Sequence, residues 1–149
     1  MRILVQRVSE GSVWVDGQVV GSIKQGYVLL VGIAEGDGFA EADQLAEKIV
    51  RLRLFNNEAD KFDRCLLDLN GQALVVSQFT LYGDPRKGRR PSFSAAACPQ
   101  QAKPLCNYFA QKLRQLGVTK VATGQFGAKM TVHIRNEGPV TLWLDSDQL

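Results

Sequence analysis

Apolar and polar positions alternate through the opening of the chain and then change period. ILVQRV is followed by SVWVD, an Asp16-Gly17 pair, QVVGSI, Gly26 and the apolar run YVLLVGI. Asp-Gly between two such runs predicts a β-hairpin, because both residues tolerate the left-handed backbone of a tight turn. Beyond Gly36-Asp37-Gly38 the apolar positions recur every three to four residues, at Phe39, Ala42, Leu45, Ala46, Ile49, Val50 and Leu52. That spacing predicts one amphipathic helix over 39–54. A polar stretch from Asn56 to Arg64 leads to LLDLNG and then to ALVVSQFTLYGD, whose length and composition suit a central strand. Alternation along it assigns Leu74, Val76, Gln78, Thr80 and Tyr82 to one face, and Ala73, Val75, Ser77, Phe79 and Leu81 to the other. The first face turns from apolar to polar, with Gln78 and Thr80 about 7 Å apart, two strand rises. Such a pair suits a pocket floor, and equally a strand end emerging into water.

A second helical stripe, Tyr108, Phe109, Leu113 and Leu116, covers much of 99–116 and stops at Gly117. Pro99 suits a first helical position, whereas Pro104 removes an internal hydrogen bond, so the helix starts there or is kinked. The remainder reads as VTKVATG, a strand AKMTVHIR, a four-residue turn Asn136-Glu137-Gly138-Pro139 and a strand VTLWLD. Strands with two helices inserted between hairpins predict an α+β fold: one domain over 1–149, with a mainly antiparallel, barrel-like sheet.

Composition excludes several classes. With 149 residues, 45% hydrophobic and 22% charged, the chain can bury one ordinary core and is neither disordered nor collagen-like. No apolar run approaches the roughly 18 residues of a membrane span, and MRILVQRVSEGSVWVD lacks a signal-peptide core, so no membrane is expected and the cytoplasm is. Three cysteines, Cys65, Cys98 and Cys106, form no CxxC pair and are read as reduced, mostly buried thiols. Neither a metal nor another cofactor is called for. The net charge of +3 is local: Arg86, Lys87, Arg89 and Arg90 put four cations into five residues, and the rest of the chain has 14 basic against 15 acidic residues, a net −1. A compact basic loop suits a phosphate-bearing partner or is simply a solvated surface.

Conventional catalytic groups are scarce. The single histidine, His133, shares a strand face with Thr131 and Arg135, opposite Met130, Val132 and Ile134, which makes it a surface or rim residue. Thr80 or Ser77 as a nucleophile needs a base within hydrogen-bond reach, and none is evident. Read alone, Gly138-Pro139 is a turn.

Taken together, two segments are more specific. Ser77-Gln78-Phe79-Thr80-Leu81 and Asn136-Glu137-Gly138-Pro139-Val140-Thr141 resemble the two signature motifs of the D-aminoacyl-tRNA deacylases. The resemblance extends to Gln6-Arg7-Val8, to Arg90-Pro91-Ser92-Phe93-Ser94, and to Gly124-Gln125-Phe126-Gly127-Ala128 ahead of Met130. Glu137 stands where the family usually has Asp, and KFDRCLLDLN (61–70) resembles only loosely the Gly-Lys-Met-Asn stretch common there. The resemblance implies a homodimer whose site is completed across the interface by a cis Gly138-Pro139 turn. Its carbonyls would receive the substrate's α-ammonium group, with Arg7 holding the turn. It also implies a pocket lined by Ser77, Gln78, Phe79 and Thr80, with Phe126 and Met130 nearby and Arg86, Lys87, Arg89 and Arg90 on the tRNA. The expected reaction is hydrolysis of the ester of tRNA charged with D-amino acids or glycine. The alternatives are a non-catalytic RNA-binding module and a small-molecule esterase using Thr80.

Overall fold

The computed structural model describes residues 1–149. β1 (Arg2–Val15) is the hub of a six-stranded sheet. Its second half pairs antiparallel with β2 (Gln18–Ile23), and its first half with β3 (Gly26–Gly32). The turn between β1 and β2 is the expected Asp16-Gly17 pair, with φ of 49° and 75°.

After β3 the chain forms α1 (Phe39–Arg51) and returns as β6 (Gln72–Ser77), which lies parallel to β3. It then forms α2 (Pro99–Gln115) and returns as β7 (Val121–Thr123), parallel to β6. The helices supply the crossovers that parallel neighbours require. They add a parallel half to the antiparallel meander, so the α+β, barrel-like sheet is mixed. A small hairpin of β4 (Phe55–Asn56) and β5 (Phe62–Arg64) stands apart from it. The barrel nearly closes where β2 meets β7: a Cβ on Gly21 would stand 2.4 Å from the carbonyl oxygen of Thr123, so only glycine allows that approach.

Period-2 alternation in β3 and β6 divides the core in two. Val28, Leu74 and Val76 point into the barrel with Val8, Val13 and Ile23. Tyr27, Leu29, Val31, Ala73 and Val75 face the helices, which bury Ala42, Leu45, Ala46, Ile49 and Val50 from α1 and Leu105, Cys106, Phe109, Ala110 and Leu113 from α2. Truncating one such leucine costs about 2–5 kcal/mol. At the start of α1, Glu41 reaches back to accept the Gly38 N–H at 2.8 Å, the half of a capping box that a glycine N-cap allows. α2 begins at Pro99 and runs through Pro104, where the carbonyl left without a donor belongs to exposed Gln100. The thiols depart from expectation, because only Cys106 is buried. Cys65 is half-buried, and Cys98 is exposed because it precedes Pro99 at the solvent-facing start of α2.

Two segments differ from their sequence reading. The strand from Ala73 ends at Ser77, and Phe79–Tyr82 form a 3₁₀ turn. Gln78 still donates to the Val31 carbonyl at 2.7 Å, after which Leu81 bonds back to Gln78 and Gly83 to Thr80. Gly32 permits the turn: a Cβ there would lie 3.1 Å from both Gln78 O and Leu81 Cβ. Near the end, AKMTVHIR and VTLWLD are not two arms of a hairpin. They form one strand, β8 (Thr131–Asp145), whose two halves both pair with β1. Val8 faces Asn136 and Gln6 faces Thr141, so two steps along β1 match five along β8 and the intervening residues bulge outward.

Candidate active site

Where β6 gives way to the 3₁₀ turn, a cavity of about 410 Å³ opens beside the start of α2. Ser77, Gln78 and Phe79 form one wall, Phe126 and Gly127 a second, and Phe93 a third. Val31, Ile33, Ala96, Ala97, Pro99 and Ala102 make its floor mostly apolar. Phe79 is held by an edge-to-face contact with Phe93, centroids 5.0 Å apart. The far end of the 3₁₀ turn is anchored by Arg2, which donates to the Leu81 carbonyl at 3.2 Å, stacks 4.4 Å from the Tyr82 ring centroid and pairs with Asp145 at 2.9 Å. Phe79 and Thr80 open the turn, the position at which a helix has N–H groups without an intrahelical acceptor. The start of the turn thus stands beside an apolar floor.

Thr80 lies on the rim, exposed, its hydroxyl engaged by the side-chain amide of Gln78. An amide donor cannot take up a proton, so this pair does not make Thr80 a nucleophile. His133 is exposed on β8 and stacks on Trp14 at 5.6 Å, away from the cavity lining. Cys106 is buried in the core, where burial pushes its thiol up to about 11.

The other predicted residues fall in a second place. Gly138 and Pro139, joined by a cis bond, are exposed at the bulge of β8 and line no part of the cavity. Arg7 lies beneath them, 7% exposed, and donates from Nε to the Glu137 carbonyl at 3.2 Å. Asn136 braces the turn from within, its Nδ2 donating to the carbonyls of Arg7 and Val140 at 2.9 and 3.0 Å. Met130 packs toward the barrel interior, and a Cβ on Gly124 would come within 2.7 Å of its sulfur. One chain therefore brings Ser77, Gln78, Phe79 and Phe126 together and holds Arg7, Gly138 and Pro139 elsewhere.

The basic segment forms an exposed loop closed by paired hydrogen bonds between Asp84 and Ser92, 2.8 and 2.9 Å. Arg86 makes a two-pronged contact with Asp84 at 2.7 and 2.8 Å, which holds the carboxyl down to about 2. Lys87, Arg89 and Arg90 make no ion pair.

Sequence reasoning missed most of the floor, from Ala96 to Ala102, and Phe93 as a wall. Phe93 lay inside a quoted motif, whereas the alanines carry no local signal.

A barrel whose pocket holds no nucleophile–base pair suits an ester hydrolase acting on an already reactive ester. The D-Tyr-tRNA(Tyr) deacylase family model matches residues 4–145, and the chain belongs to that family. A D-aminoacyl-tRNA deacylase of Thermomicrobium roseum is 60% identical over 149 residues, covering 100% of this chain and 96% of that protein. Among solved structures, one titled c-Myc DNA Unwinding Element Binding Protein matches with a TM-score of 0.91 and 38% identity over 97% of this chain and 98% of that one. A probable eukaryotic D-amino acid tRNA deacylase shares the fold, with a TM-score of 0.84 at 16% identity over 96% and 97% of the two chains.

Proposed function

We propose that this enzyme hydrolyses D-aminoacyl-tRNA, and glycyl-tRNA with it, as a cytoplasmic homodimer in which the Gly138–Pro139 turn of each subunit enters the cavity of the other. The observation that carries this reading is the separation of turn and cavity within one chain. The turn is exposed and braced by Arg7 and Asn136, while the cavity lining has no carboxylate to hold an ammonium group.

In the completed site, the Gly138 and Pro139 carbonyls receive the substrate's α-ammonium, and the N–H groups of Phe79 and Thr80 face the ester carbonyl. One well-placed oxyanion donor is worth about 10²- to 10³-fold in rate. The terminal ribose hydroxyl of the tRNA assists, so no side-chain base is required. With the ammonium and the carbonyl fixed, handedness decides where the side chain goes. A D side chain points out of the pocket, whereas an L residue drives its Cβ into the Gly-Pro wall. That wall is backbone and cannot swing aside as a rotamer would, and each 1.4 kcal/mol of clash costs about tenfold. Selection is rejection of L rather than recognition of D, and glycine has no Cβ to reject.

Hydrolysis of glycyl-, L-alanyl- and D-alanyl-tRNA measured side by side tests this. The first and third are cleaved and the second spared; a glycyl ester as resistant as the L-alanyl one would sink the reading.

A further inference from the structure

Arg7 is a buried cation without a counter-ion. It is 7% exposed, yet it appears in none of the ion pairs, which join Met1, Arg2, Arg53, Arg86, Lys112 and Arg135 to acids. A guanidinium out of water needs its hydrogen bonds met by other groups, or it does not stay where it is. Those groups come from two directions. Nη1 donates to the Leu54 carbonyl at 2.6 Å and to Asn56 Oδ1 at 3.2 Å, and the Phe62 ring centroid lies 5.7 Å from the guanidinium carbon. Nε donates the other way, to the Glu137 carbonyl. Nη2 lies 2.9 Å from the place a Cβ of Gly138 would occupy, so the guanidinium edge is the floor under that residue. One planar group thus ties the β4–β5 hairpin to the Gly138–Pro139 turn, and a planar fork transmits position as a flexible lysine could not.

The hairpin is built to aim at Arg7. Asn56 Nδ2 donates to Asp60 Oδ1, which orients the amide so that its oxygen faces the guanidinium. Asn57 in turn fixes the hairpin's tip, accepting from the N–H groups of Ala59 and Lys61 at 2.9 and 3.1 Å. Asn56 and Phe62 are both exposed, and Phe62 has 58% of its surface open to water. Neither is placed there by the needs of the core.

We infer that the β4–β5 hairpin sets the position of the Gly138–Pro139 turn through Arg7, which makes Asn56 and Phe62 positioning residues for the choice between D- and L-aminoacyl esters. The inference rests on the reading that this turn is the wall against which L residues clash. With the acceptor removed, Arg7 is left with the Leu54 carbonyl as its one acceptor on that side; with the ring removed, it is left with that carbonyl and one amide, and in either case the wall yields.

The test is the ratio of kcat/KM for D-alanyl- over L-alanyl-tRNA in the full-length protein, together with thermal unfolding. Asn56→Leu and Phe62→Ser should each lower the ratio about tenfold or more, a loss of about 1.4 kcal/mol of discrimination. Their melting temperatures should stay close to that of the parent. The double exchange Asn56→Asp with Asp60→Asn retains a donor and an acceptor in the pair and should recover most of the ratio. A parent that discriminates while both single variants keep its ratio would overturn the inference and leave the functional reading standing. A parent with no D preference would overturn both.

Discussion

The side-chain amide of Gln78 donates its hydrogen bond to Oγ1 of Thr80. A hydroxyl that accepts from an amide keeps its own proton, and no carboxylate or imidazole shares the cavity wall to remove it. Thr80→Ala should therefore retain deacylation within a few-fold of the parent. Loss of a true nucleophile costs on the order of 10⁶ in kcat, so single-turnover rates separate the two cases cleanly. Abolished turnover with tRNA binding intact would restore Thr80 as the nucleophile.

Gly138 has φ of +117°, and a Cβ there would stand 2.8 Å from Val140 Cγ2 and 2.9 Å from Arg7 Nη2. Gly17 also has a positive φ, +75°, with nothing within 4 Å. Gly17→Ala thus reports the backbone cost alone, about 1–3 kcal/mol. Gly138→Ala adds displacement of Arg7, and should melt lower than Gly17→Ala while losing at least about tenfold in kcat/KM for D-alanyl-tRNA. Equal behaviour of the two variants in calorimetry and turnover would show that the space beside Gly138 does not matter.

Arg86 is already paired with Asp84, so the loop has three free cations, Lys87, Arg89 and Arg90. Each phosphate contact contributes roughly −0.7 to −0.9 to the slope of log affinity against log salt. Replacing the three with glutamine should flatten that slope by about 2 to 3, leaving turnover of saturating substrate nearly unchanged. Arg86→Gln alone should change the slope little. Filter binding across a salt series measures both, and an unaltered slope in the triple variant would make the loop a solvated surface.

Burial raises the Cys106 thiol from its ordinary value of 9.0 to about 11. The core accepts the neutral thiol and rejects the thiolate, so this contribution to stability is complete below pH 9 and lost as pH rises towards 11. Two pH units correspond to at most about 2–3 kcal/mol. Urea unfolding at pH 8, 9.5 and 11 should show a decline that Cys106→Ala flattens. Tyr27, whose phenol is raised by the same burial, extends the loss to still higher pH. An equal decline in parent and variant would acquit the thiol.

Elements with one uninterrupted period were legible. The α1 stripe from Ala42 to Val50 is the buried face, and alternation divides Leu74 and Val76 from Ala73 and Val75 as expected. It stops at Ser77, where the room for the 3₁₀ turn is left by Gly32 on another strand, and a period cannot register a neighbour distant in sequence. Gly138-Pro139 reads as the tip of a hairpin and lies instead in a bulge, since a turn dipeptide looks the same whether its flanks pair with each other or both with a third strand. Arg7 gave no sign of its partners beyond the family resemblance. Leu54 and Glu137, the carbonyls it joins, are 47 and 130 residues away.

The bulge of β8 is a span between two piers, not a cantilever. A hairpin tip swings about its base, and its excursion grows with distance from the last rung of the ladder. Residues 136–140 are instead pinned on both sides to the same strand, β1, whose opposite flank is held by β2 and β3. Such a span can bow but cannot swing unless β1 shears with it. Amide exchange in the rungs flanking the bulge should therefore follow opening of the whole barrel rather than local fraying. An exposed turn is thereby mounted on the strand with the most neighbours, which is what the proposed reading asks of a gauge that tells one hand of a molecule from the other.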